Sequence, residues 1–329
     1  MMNQRIHGAA NETGLALFDF STNANACGAC PPALQAVQNA DAAHYPDFTY
    51  TALRKALADF HGVAVERMVL AGSASEFIFR ITSFIAFTAR TTQQRKKSVW
   101  IPRHAYGDYA HAAHAWGLER VTDIRTADLV WACEPSSPLG QAHAEWSYSP
   151  AATVVLDCAY APLRLSGQPS LNAEGLQSVW QLYSPNKALG LTGIRAAYAI
   201  APRGAESTVV ELNALAPSWV VGSHGVAMLM AWTQSSTQNW LAQTLPILRE
   251  WKERQITLLK NHGWMCEPSD ANFFCAKPPA EVTVETLCHD WRSHGIQLRN
   301  AASFDLAGWV RLGVREPLVQ AALCVKMTH

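Results

Sequence analysis

The alternation of apolar runs and helical periodicities along the chain predicts an α/β fold. Between about residues 65 and 205, short apolar runs alternate with segments whose apolar residues recur at helical spacing. The runs are RMVLAG, KSVWIP, ADLVWACEP, ATVVLDCAY, SVWQLYSP and RAAYAIAP, and the first three are separated by SASEFIFRITSFIAFTA and YGDYAHAAHAWG. Apolar runs of this length are typical of strands buried on both faces in a sheet that helices cover. We therefore predict a mostly parallel central sheet flanked by helices.

The pattern changes after about residue 215, where it predicts an α+β arrangement. A long helical stretch covers about residues 223–260, and it is followed by strand-like ANFFCAK, helical VETLCHDWRSHG, and strand-like IQLRN and WVRLGVR. We interpret this part as a smaller domain against which the N-terminal segment packs. The predicted division is a large domain over residues 45–220 and a small domain formed by residues 1–44 and 221–329.

Composition and charge narrow the classes of function. The 329 residues are 49% hydrophobic and 16% charged, which is typical of a globular chain with a large core. Lysine plus arginine and aspartate plus glutamate each number 26, so the formal net charge is zero. A neutral chain is a poor candidate for binding nucleic acid or an anionic membrane surface, and low net charge favours association with a second copy.

The N-terminal composition and the cysteines predict a cytoplasmic protein without a metal. No apolar run approaches the length of about 20 residues that a bilayer span needs, and MMNQRIHGAANETG lacks the apolar region of a secretory signal. We expect the eight cysteines to be reduced. Cys27 and Cys30 have the spacing of a redox or zinc pair, but no second Cys/His pair stands at ligand spacing, so we predict no metal site.

The candidate functional residues directly follow the apolar runs, because parallel sheets bind ligands at the carboxyl ends of their strands. In chain order they are Gly72, Ser73, Ala74 and Ser75, then His104, Tyr106 and Tyr109, then Ser137 in the turn SSPLG, then Asp157 and Tyr160, and last Ser184, Lys187 and Arg195 in SPNKALGLTGIR. The small residues before a helix let backbone N–H groups approach an anion, although Gly-Ser is also an ordinary helix N-cap. The set thus offers an anion cradle, an aromatic ring, an acid, a tyrosine and a lysine.

Lys187 and Asp157 are the two members of this set that most need a partner. Lys187 has no acidic residue near it in sequence, so it is either a solvated loop lysine or a buried amine with chemistry to do. Asp157 at a buried strand end requires a helix N-terminus, an arginine or a protonated heteroaromatic nitrogen. Pyridoxal 5'-phosphate (PLP) has such a nitrogen, a phosphate, a flat ring, a phenolic oxygen and an aldehyde that takes a lysine as an imine. One cofactor uses every member of the set, so we predict PLP.

The stretch SPNKALGLTGIR resembles the lysine signature of the class I/II aminotransferases of PLP fold type I, S-x-x-K-x-x-G-L-x-G-x-R. The order of the motifs is also similar: a Gly/Ser turn, an aromatic residue, N-P-x-N-P-x-G, D-x-x-Y, and then the lysine. The resemblance extends from about Asp19 to Arg315. It implies a fold type I aminotransferase-like α/β architecture and PLP as the cofactor.

The resemblance also implies a role for each residue. Lys187 would form the internal aldimine with the cofactor and carry the proton at the substrate Cα. Asp157 would keep the pyridine nitrogen protonated, Tyr160 would hydrogen-bond the phenolic oxygen, and Tyr106 would stack on the ring. The phosphate would be bound by charge-assisted hydrogen bonds from Ser184, Arg195 and the backbone amides of Ser73, Ala74 and Ser75.

Within this family, two N-terminal segments are similar to the histidinol-phosphate aminotransferase branch, which includes the threonine-phosphate decarboxylases of cobalamin synthesis. LFDFSTNAN, which contains Asn23, resembles the branch's LDFSxNxNP segment, so Asn23 is implied to face the substrate. HYPD followed by Leu53-Arg54 resembles YP-D-x-x-Y-x-x-LR, whose tyrosine, here Tyr45, reaches the phosphate in the neighbouring subunit. The resemblance therefore implies a homodimer with shared active sites.

The implied substrate is a small amine or amino acid that carries an anionic group. Arg299 and Arg311 fall where the family keeps its substrate-anion arginines, in GIQLRNAASF and GWVRLGVR, and Arg315 is a further candidate. Arg299 and Arg311 could instead be ordinary surface charges, and the alignment favours Arg311, with Arg315 second. The family's N-P-x-N-P-x-G reads EPSSPLG here, so Ser137 replaces the asparagine that would donate to the phenolic oxygen. A serine hydroxyl can also donate, and we expect activity to survive.

The sequence leaves two activities open. The family pattern as a whole favours a transaminase that passes the amino group to a 2-oxo acid. The His7-Gly8 pair and DFSTNAN favour a threonine-phosphate decarboxylase. A non-catalytic protein with a PLP-binding fold is a third alternative, but such proteins usually lose the lysine or the acid, and this chain has both Lys187 and Asp157.

Overall fold

The structure is a computed structural model that describes Gly14 and residues 16–91, 96–279 and 282–327. The His7-Gly8 pair and the other early residues of the predicted N-terminal segment, residues 1–13 and 15, lie outside the described residues. Among the described helices, none combines the length and the apolar character that crossing a membrane requires.

The described chain alternates strands and helices in its first two thirds. The strands are β1 (Phe18–Asp19), β2 (Met68–Ala71), β3 (Ser98–Trp100), β4 (Glu119–Arg120), β5 (Leu129–Cys133), β6 (Thr153–Asp157), β7 (Trp180–Tyr183), β8 (Ala197–Ile200), β9 (Met265–Cys266), β10 (Phe273–Lys277), β11 (Ile296–Gln297), β12 (Arg299–Asn300) and β13 (Val310–Gly313). The helices are α1 (Pro31–Gln38), α2 (Thr51–His61), α3 (Ala74–Thr91), α4 (Gly107–Trp116), α5 (Ala173–Leu176), α6 (Glu206–Ala214), α7 (Ser223–Trp232), α8 (Ser235–Asn261), α9 (Val284–Ser293) and α10 (Pro317–Met327).

A seven-stranded sheet forms the centre of the molecule, with strand order β2-β8-β7-β6-β5-β3-β4. Strands β7, β6, β5, β3 and β4 are parallel, whereas β8 is antiparallel to both β7 and β2. The carboxyl ends of β2, β3, β5, β6 and β7 therefore lie at one edge of the sheet together with the amino end of β8. The predicted mostly parallel sheet with flanking helices is confirmed.

Both faces of this sheet are covered, which explains why its strands are continuous apolar runs. On one face, Val69, Val99 and Trp131 pack in a core with residues of α3, α4 and α6. On the other face, Leu70 and Tyr198 pack in a core with residues of α2 and α7. Successive strand residues point to opposite faces, so the neighbours Val69 and Leu70 belong to different cores.

A four-stranded sheet, with order β12-β13-β10-β9, lies in the C-terminal third of the chain. Its neighbouring strands are antiparallel. The N-terminal strand β1 pairs in parallel with β11, which places Phe18 opposite Ile296. The segment that follows β1 is thereby held beside the C-terminal strands.

Two local differences separate the sequence pattern from the structure. The helical stretch over residues 223–260 is two helices, α7 and α8, because the chain turns at Thr233 and Gln234. The side-chain amide of Gln238 donates to the carbonyl oxygen of Trp232 at 2.5 Å, which satisfies one of the carbonyl groups left open where α7 ends. The run IQLRN forms two short strands, β11 and β12, which belong to different sheets.

Candidate active site

Asp157 ends β6 in the middle of the sheet edge described above. Its carboxylate is buried, and Oδ2 accepts a hydrogen bond from the Tyr109 hydroxyl at 2.7 Å. Oδ1 accepts one from the backbone N–H of Ala159 at 2.9 Å. Burial raises the pKa of Asp157, while the hydrogen bonds from Tyr109 and Ala159 and the charge of Lys187 oppose that rise. The site thus contains a buried acid whose charged form is held by two donors.

Tyr109 connects this acid to the ring-stacking candidate Tyr106. The Tyr109 side chain is fully buried, its ring stacks on Trp131 with centroids 4.5 Å apart, and it meets the Tyr106 ring edge-on at 5.8 Å. We assigned no role to Tyr109 from the sequence. The available signal was its place in the first turn of α4, three residues after Tyr106, which is the N-cap of that helix.

The Tyr106 hydroxyl is fixed by two neighbours. It donates to Asp108 Oδ2 at 2.9 Å and lies 3.1 Å from Ser75 Oγ. Because the Tyr106 proton is directed to Asp108, the Ser75 hydroxyl is the donor to Tyr106. Ser75 can therefore contribute its backbone N–H, and not its hydroxyl proton, to an anion at the start of α3.

The remaining cradle residues lie at the same end of the sheet. Ala71 ends β2 opposite Ala197 of β8, and Tyr183 of β7 pairs with the next residue of β8. Ser184 therefore follows β7 at the edge where Ser73 to Ser75 begin α3. Arg195 precedes β8 at this edge and is exposed. Ser184 Oγ is buried and has no hydrogen-bond partner within the described part of the chain.

Ser73 also has a structural role as a helix cap. Its Oγ accepts from the backbone N–H of Glu76 at 3.0 Å, and Glu76 Oε2 accepts from Gly72 N–H at 3.2 Å. This reciprocal arrangement resembles a capping box and explains why SASE begins α3. It does not occupy the backbone N–H groups of Ala74 and Ser75, which still lie in the open first turn of the helix.

Lys187 lies half-buried on the loop between β7 and β8, with Nζ 5.4 Å from the centre of the Tyr160 ring. The N-terminal segment holds this loop, because the backbone N–H of Asn25 donates to the Lys187 carbonyl oxygen at 2.9 Å. Gly190 has a φ of +65°, and a Cβ there would lie 2.2 Å from the Gly28 carbonyl oxygen. The close approach of the N-terminal segment to the lysine loop thus requires glycine at this position.

Asn23 and Tyr160 meet beside Lys187. The Asn23 side-chain amide donates to the Tyr160 hydroxyl at 3.4 Å, and the Tyr160 ring packs edge-on against Phe273 at 4.6 Å. Asn23 Oδ1 is buried and has no hydrogen-bond partner among the residues that the structure describes. The N-terminal segment therefore places a polar side chain next to Tyr160.

Arg299 and Arg311 form the other side of the site. They are opposite one another on the antiparallel strands β12 and β13, and their guanidinium carbons lie 4.8 and 5.5 Å from the centre of the Phe304 ring. Arg299 donates to the Asn300 carbonyl oxygen at 2.8 Å and to Ser303 Oγ at 2.7 Å. Burial, and then the charge of Arg311, lower the pKa of Arg299 to about 10.

Arg311 is buried and links the two sides of the site. Its Nη1 donates to Ser137 Oγ at 3.2 Å, and its Nη2 donates to the Ser21 carbonyl oxygen at 3.0 Å. Its Nε is buried without a hydrogen-bond partner in the described ranges. Ser137, the residue that departs from the family pattern, therefore contacts Arg311. Its turn follows β5, whose last residue pairs with Asp157. We call the part of the site formed by Asp157, Tyr106, Tyr160, the lysine loop and the start of α3 the cofactor half.

Arg315 and Tyr45 do not join this group by any described contact. Arg315 donates from Nε to the Asp19 carbonyl oxygen and from Nη2 to the Thr22 carbonyl oxygen at 3.1 Å, so it anchors the N-terminal segment. The Tyr45 side chain is 76% exposed, and its ring stacks on Trp219 with centroids 4.3 Å apart. An aromatic side chain this exposed is available for contact with a second molecule.

The donors and acceptors of this site fit the groups of PLP. A buried serine hydroxyl without a partner, Ser184 Oγ, lies at the edge where the start of α3 offers backbone N–H groups, as a phosphate would require. The buried carboxylate of Asp157 suits a protonated ring nitrogen, and Lys187 supplies the amine for the aldehyde.

Comparisons with known proteins identify a family for this chain. The family model described as aminotransferase class I and II matches residues 16–322. A histidinol-phosphate aminotransferase of Jannaschia sp. (strain CCS1) is 24% identical over 94% of this chain and 90% of its own length. An aromatic amino acid aminotransferase of Rhodococcus jostii (strain RHA1) is 30% identical over 77% of this chain and 75% of its own.

Solved structures share the fold over nearly the whole chain. The histidinol-phosphate aminotransferase from Clostridium acetobutylicum matches with a TM-score of 0.78 at 19% identity, covering 95% of this chain and 99% of its own. The Sinorhizobium meliloti enzyme of the same name, in complex with PLP, matches with a TM-score of 0.76 at 19% identity over 94% and 90% of the two chains. The L-threonine-O-3-phosphate decarboxylase from Porphyromonas gingivalis matches with a TM-score of 0.72 at 19% identity over 94% and 97%.

The family match spans most of the chain, and the fold and the donors at the sheet edge agree with it. This chain therefore belongs to the aminotransferase class I and II family, with the fold type I architecture and the PLP dependence of that family.

Proposed function

We propose that this chain is an aminotransferase of the histidinol-phosphate aminotransferase-like branch, which transfers an amino group from a small, phosphate-bearing amine or amino acid to a 2-oxo acid. The observation that carries the proposal is the state of Arg311. Its guanidinium is buried, its Nε has no partner, and it forms no ion pair among the described residues. A buried cation requires an anion or a full set of hydrogen bonds, so a substrate anion is the natural partner.

Arg299 supports the choice of a doubly charged anion such as phosphate. The two guanidinium groups flank one phenylalanine ring, and the pKa of Arg299 is lowered in part by the charge of Arg311. A dianion between them would relieve that repulsion and could accept several charge-assisted hydrogen bonds. A single carboxylate would relieve less of it.

The residues of the cofactor half have the roles that the family resemblance implies. When bound, PLP supplies an aldehyde that bonds to amines and a ring that withdraws electrons from the substrate Cα. Lys187 would bond to that aldehyde and then hold and move the proton at the substrate Cα. Asp157 would face the ring nitrogen, Tyr160 the phenolic oxygen, and Tyr106 the ring. Ser184, Arg195 and the amides of Ser73, Ala74 and Ser75 would bind the phosphate.

The proposal includes a homodimer in the cytoplasm, with Tyr45 reaching the phosphate in the partner's site. The exposed ring of Tyr45, stacked on Trp219, supports a contact with a second copy. We also propose the two-domain division at residues 45–220, against 1–44 with 221–329. All strands of the seven-stranded sheet fall between Met68 and Ile200, and the four-stranded sheet falls after them, which supports this division.

The experiment is to offer the PLP-loaded protein histidinol phosphate with 2-oxoglutarate, an aromatic amino acid with 2-oxoglutarate, and threonine phosphate alone. We expect glutamate from the phosphate-bearing amine, and a much weaker signal from the aromatic amino acid. Release of CO₂ from threonine phosphate without glutamate would establish the decarboxylase alternative and contradict the transaminase. The likeness to the Porphyromonas gingivalis decarboxylase and the DFSTNAN segment are the reasons to include that arm.

Two variants test the site itself. Lys187→Ala should abolish turnover and the visible absorbance of the bound cofactor, while Lys55→Ala, at an exposed surface ion pair with Asp59, should change neither. Arg311→Gln should raise the KM for the phosphate-bearing amine by about 10- to 100-fold, the loss expected for hydrogen bonds to a charged group. A persistent visible band in Lys187→Ala, or an unchanged KM in Arg311→Gln, would contradict the proposed site.

A further inference from the structure

Residues 269–273, here called the crossing segment, connect the two sides of the site. The segment consists of Ser269, Asp270, Ala271, Asn272 and Phe273, the last of which begins β10. It has one set of contacts with the part of the chain that forms the seven-stranded sheet and another set with the N-terminal and C-terminal parts.

The first set of contacts is with the loops at the sheet edge. The Asp270 backbone N–H donates to the Gly140 carbonyl oxygen at 2.6 Å, and Leu165 N–H donates to the Asp270 carbonyl oxygen at 2.6 Å. Gly140 belongs to the turn that carries Ser137, and a Cβ on Gly140 would lie 2.1 Å from Ser269 Oγ. The crossing segment is therefore packed directly against the turn beside the cofactor half.

The second set of contacts reaches the substrate side. The Asn272 side-chain amide donates to the Asn23 and Ala24 carbonyl oxygens at 3.3 and 3.0 Å. The Phe273 ring contacts Tyr160 at 4.6 Å and lies 5.7 Å from the Arg311 guanidinium carbon. Asn272 thus contacts the backbone of Asn23, and Phe273 contacts the side chains of Tyr160 and Arg311. We infer that the position of the crossing segment sets the distances among these three residues.

Lys252 on α8 holds the crossing segment in place. Its side chain is buried, and Nζ donates to the Ser269 carbonyl oxygen and to the Ala271 carbonyl oxygen at 2.7 Å. In the described ranges Lys252 forms no ion pair; the nearby Asp270 carboxylate accepts from Ser166 and lies 3.7 Å from Arg164. Burying an ammonium group costs free energy unless its N–H groups form hydrogen bonds. Here the Lys252 ammonium donates to the backbone carbonyl groups of the two residues that flank Asp270.

Arg249 provides an internal comparison on the same helix face, three residues before Lys252. Its Nε donates to the Leu165 carbonyl oxygen at 2.8 Å. Arg249 is exposed, and its acceptor lies outside the crossing segment. Both cations attach α8 to neighbouring backbone, but only Lys252 is attached to the residues that contact the site.

We propose that Lys252 is a positioning residue for the substrate: by holding the crossing segment, it sets the distance between the anion-binding Arg311 and the cofactor-side pair Tyr160 and Lys187. The inference rests on the proposed function in one respect, that the substrate anion binds at Arg311. Lys252 touches neither Asp157 nor the phosphate cradle, which are the groups proposed to hold the ring nitrogen and the phosphate of PLP, so we expect its replacement to alter substrate binding and to leave those cofactor contacts in place.

The test compares Lys252→Met with Arg249→Met in the PLP-loaded protein. Lys252→Met keeps the aliphatic stem and removes the donors; we expect the KM for the phosphate-bearing amine to rise about tenfold, with kcat within about threefold, the effect of losing one or two hydrogen bonds that align a group. The visible absorbance and the affinity for PLP should stay as in the parent protein. Arg249→Met should leave the KM unchanged.

Amide hydrogen exchange supplies a readout that needs no substrate. We expect faster exchange in a peptide covering residues 269–273 for Lys252→Met, and no change there for Arg249→Met. If Lys252→Met does not fold, Ser269→Ala serves instead, because Ser269 Oγ accepts from Ala271 N–H at 3.2 Å and donates to the Phe273 carbonyl oxygen. Ser269→Ala should show the same rise in KM and the same faster exchange.

Equal KM values and equal exchange in the lysine and arginine variants would overturn the inference. A lysine variant that loses PLP affinity together with substrate affinity would overturn it as well, because that result indicates a general loss of structure. Failure of the proposed function would look different: the parent protein would turn over no phosphate-bearing amine, while the exchange comparison would still report on Lys252.

Discussion

Arg311 donates a hydrogen bond from Nη1 to Ser137 Oγ at 3.2 Å, across the boundary between the four-stranded sheet and the turn beside the cofactor half. The serine oxygen accepts from the arginine, so the hydroxyl hydrogen remains to donate elsewhere. In the family pattern an asparagine occupies this position, and its amide has both an acceptor and donors. The serine of this chain keeps the acceptor function toward the arginine and has one donor where asparagine has two.

Removing this hydroxyl should weaken substrate binding. We expect Ser137→Ala to raise the KM for the phosphate-bearing amine about fivefold, since one hydrogen bond to a charged group is lost. Ser137→Asn should match or improve on the parent protein. Ser136→Ala is the control, because Ser136 Oγ accepts from Gln141 N–H within the same turn and has no described contact with Arg311. Steady-state kinetics distinguish these outcomes; a Ser136→Ala enzyme as impaired as Ser137→Ala would show that turn stability, and not the contact with the arginine, is what matters.

Tyr109→Phe should shift the acid limb of the pH–activity profile upward. The hydroxyl of Tyr109 is one of the groups that lower the pKa of Asp157 against the effect of burial, so its loss raises that pKa further. The role proposed for Asp157 requires its charged form, and a higher pKa means that this form is lost at a higher pH as the solution is acidified. We expect kcat/KM below neutral pH to fall about tenfold, in keeping with one charge-assisted hydrogen bond.

The pH dependence of kcat/KM in the Tyr109→Phe enzyme is the measurement, and Tyr148→Phe is the control. Tyr148 is half-buried near Trp146, with ring centroids 6.5 Å apart, and has no described contact with Asp157. Superimposable acid limbs for the parent protein and Tyr109→Phe would be inconsistent with a role for Tyr109 in holding Asp157.

Tyr45→Phe should weaken PLP binding without dissociating the proposed dimer. The phenyl ring would still stack on Trp219, while the hydroxyl proposed to reach the partner's phosphate would be lost. We expect a PLP affinity about fivefold lower, from cofactor titration, and an unchanged mass by light scattering. Trp219→Ala removes the stacking surface and should weaken the dimer instead. A parent protein that is monomeric at micromolar concentration would contradict the shared site.

His61 should make the fold sensitive to acid. Its Nε2 lies 2.8 Å from the Tyr198 hydroxyl, and burial lowers the pKa of His61 to about 4. The unfolded chain has a histidine pKa of about 6.5, so between these values the unfolded state binds more protons and stability falls as the pH is lowered. The loss approaches about 3 kcal/mol for a shift of this size once the pH is below both values.

Thermal unfolding at pH 7.5 and pH 4.5 tests this dependence. The difference in Tm between the two pH values should be smaller in His61→Gln than in the parent protein, whereas His114→Gln, at an exposed position on α4, should not change it. The same acid sensitivity in the parent protein and in His61→Gln would show that another group is responsible.

The residues predicted for the cofactor half of the site stand at or shortly after the carboxyl ends of parallel strands. Asp157 ends β6, Ser73 follows β2 and Lys187 follows β7, and parallel pairing brings such strand ends together without further information. The helices α3 and α4 were also predictable, because their periodicity and the Ser73-Glu76 cap are local signals.

Contacts between distant parts of the chain could not be predicted in this way. The bond from Tyr109 to Asp157 depends on how α4 packs on the sheet, and the contact of Lys252 with Ser269 depends on the path of α8. Arg299 and Arg311 lie opposite one another only in the observed register of β12 and β13. A slip of one residue would turn the side chains of one strand to the other face of the sheet. At the break between α7 and α8 the side chain of Gln238 donates to the Trp232 carbonyl oxygen, a contact that periodicity does not reveal.

The pairing of β1 with β11 has a consequence for how the chain is made. Two strands of two residues each have no stability of their own, and the partner of Phe18 is Ile296, near the opposite end of the sequence. During synthesis the segment that carries Asn23 is therefore made long before the strand β11 that holds it at β1. A chain that has not yet reached Ile296 can complete the seven-stranded sheet and the lysine loop, yet it lacks β11, the strand that pairs with β1 just before Asn23. We therefore expect the substrate side of the site to form only after β11 has been made.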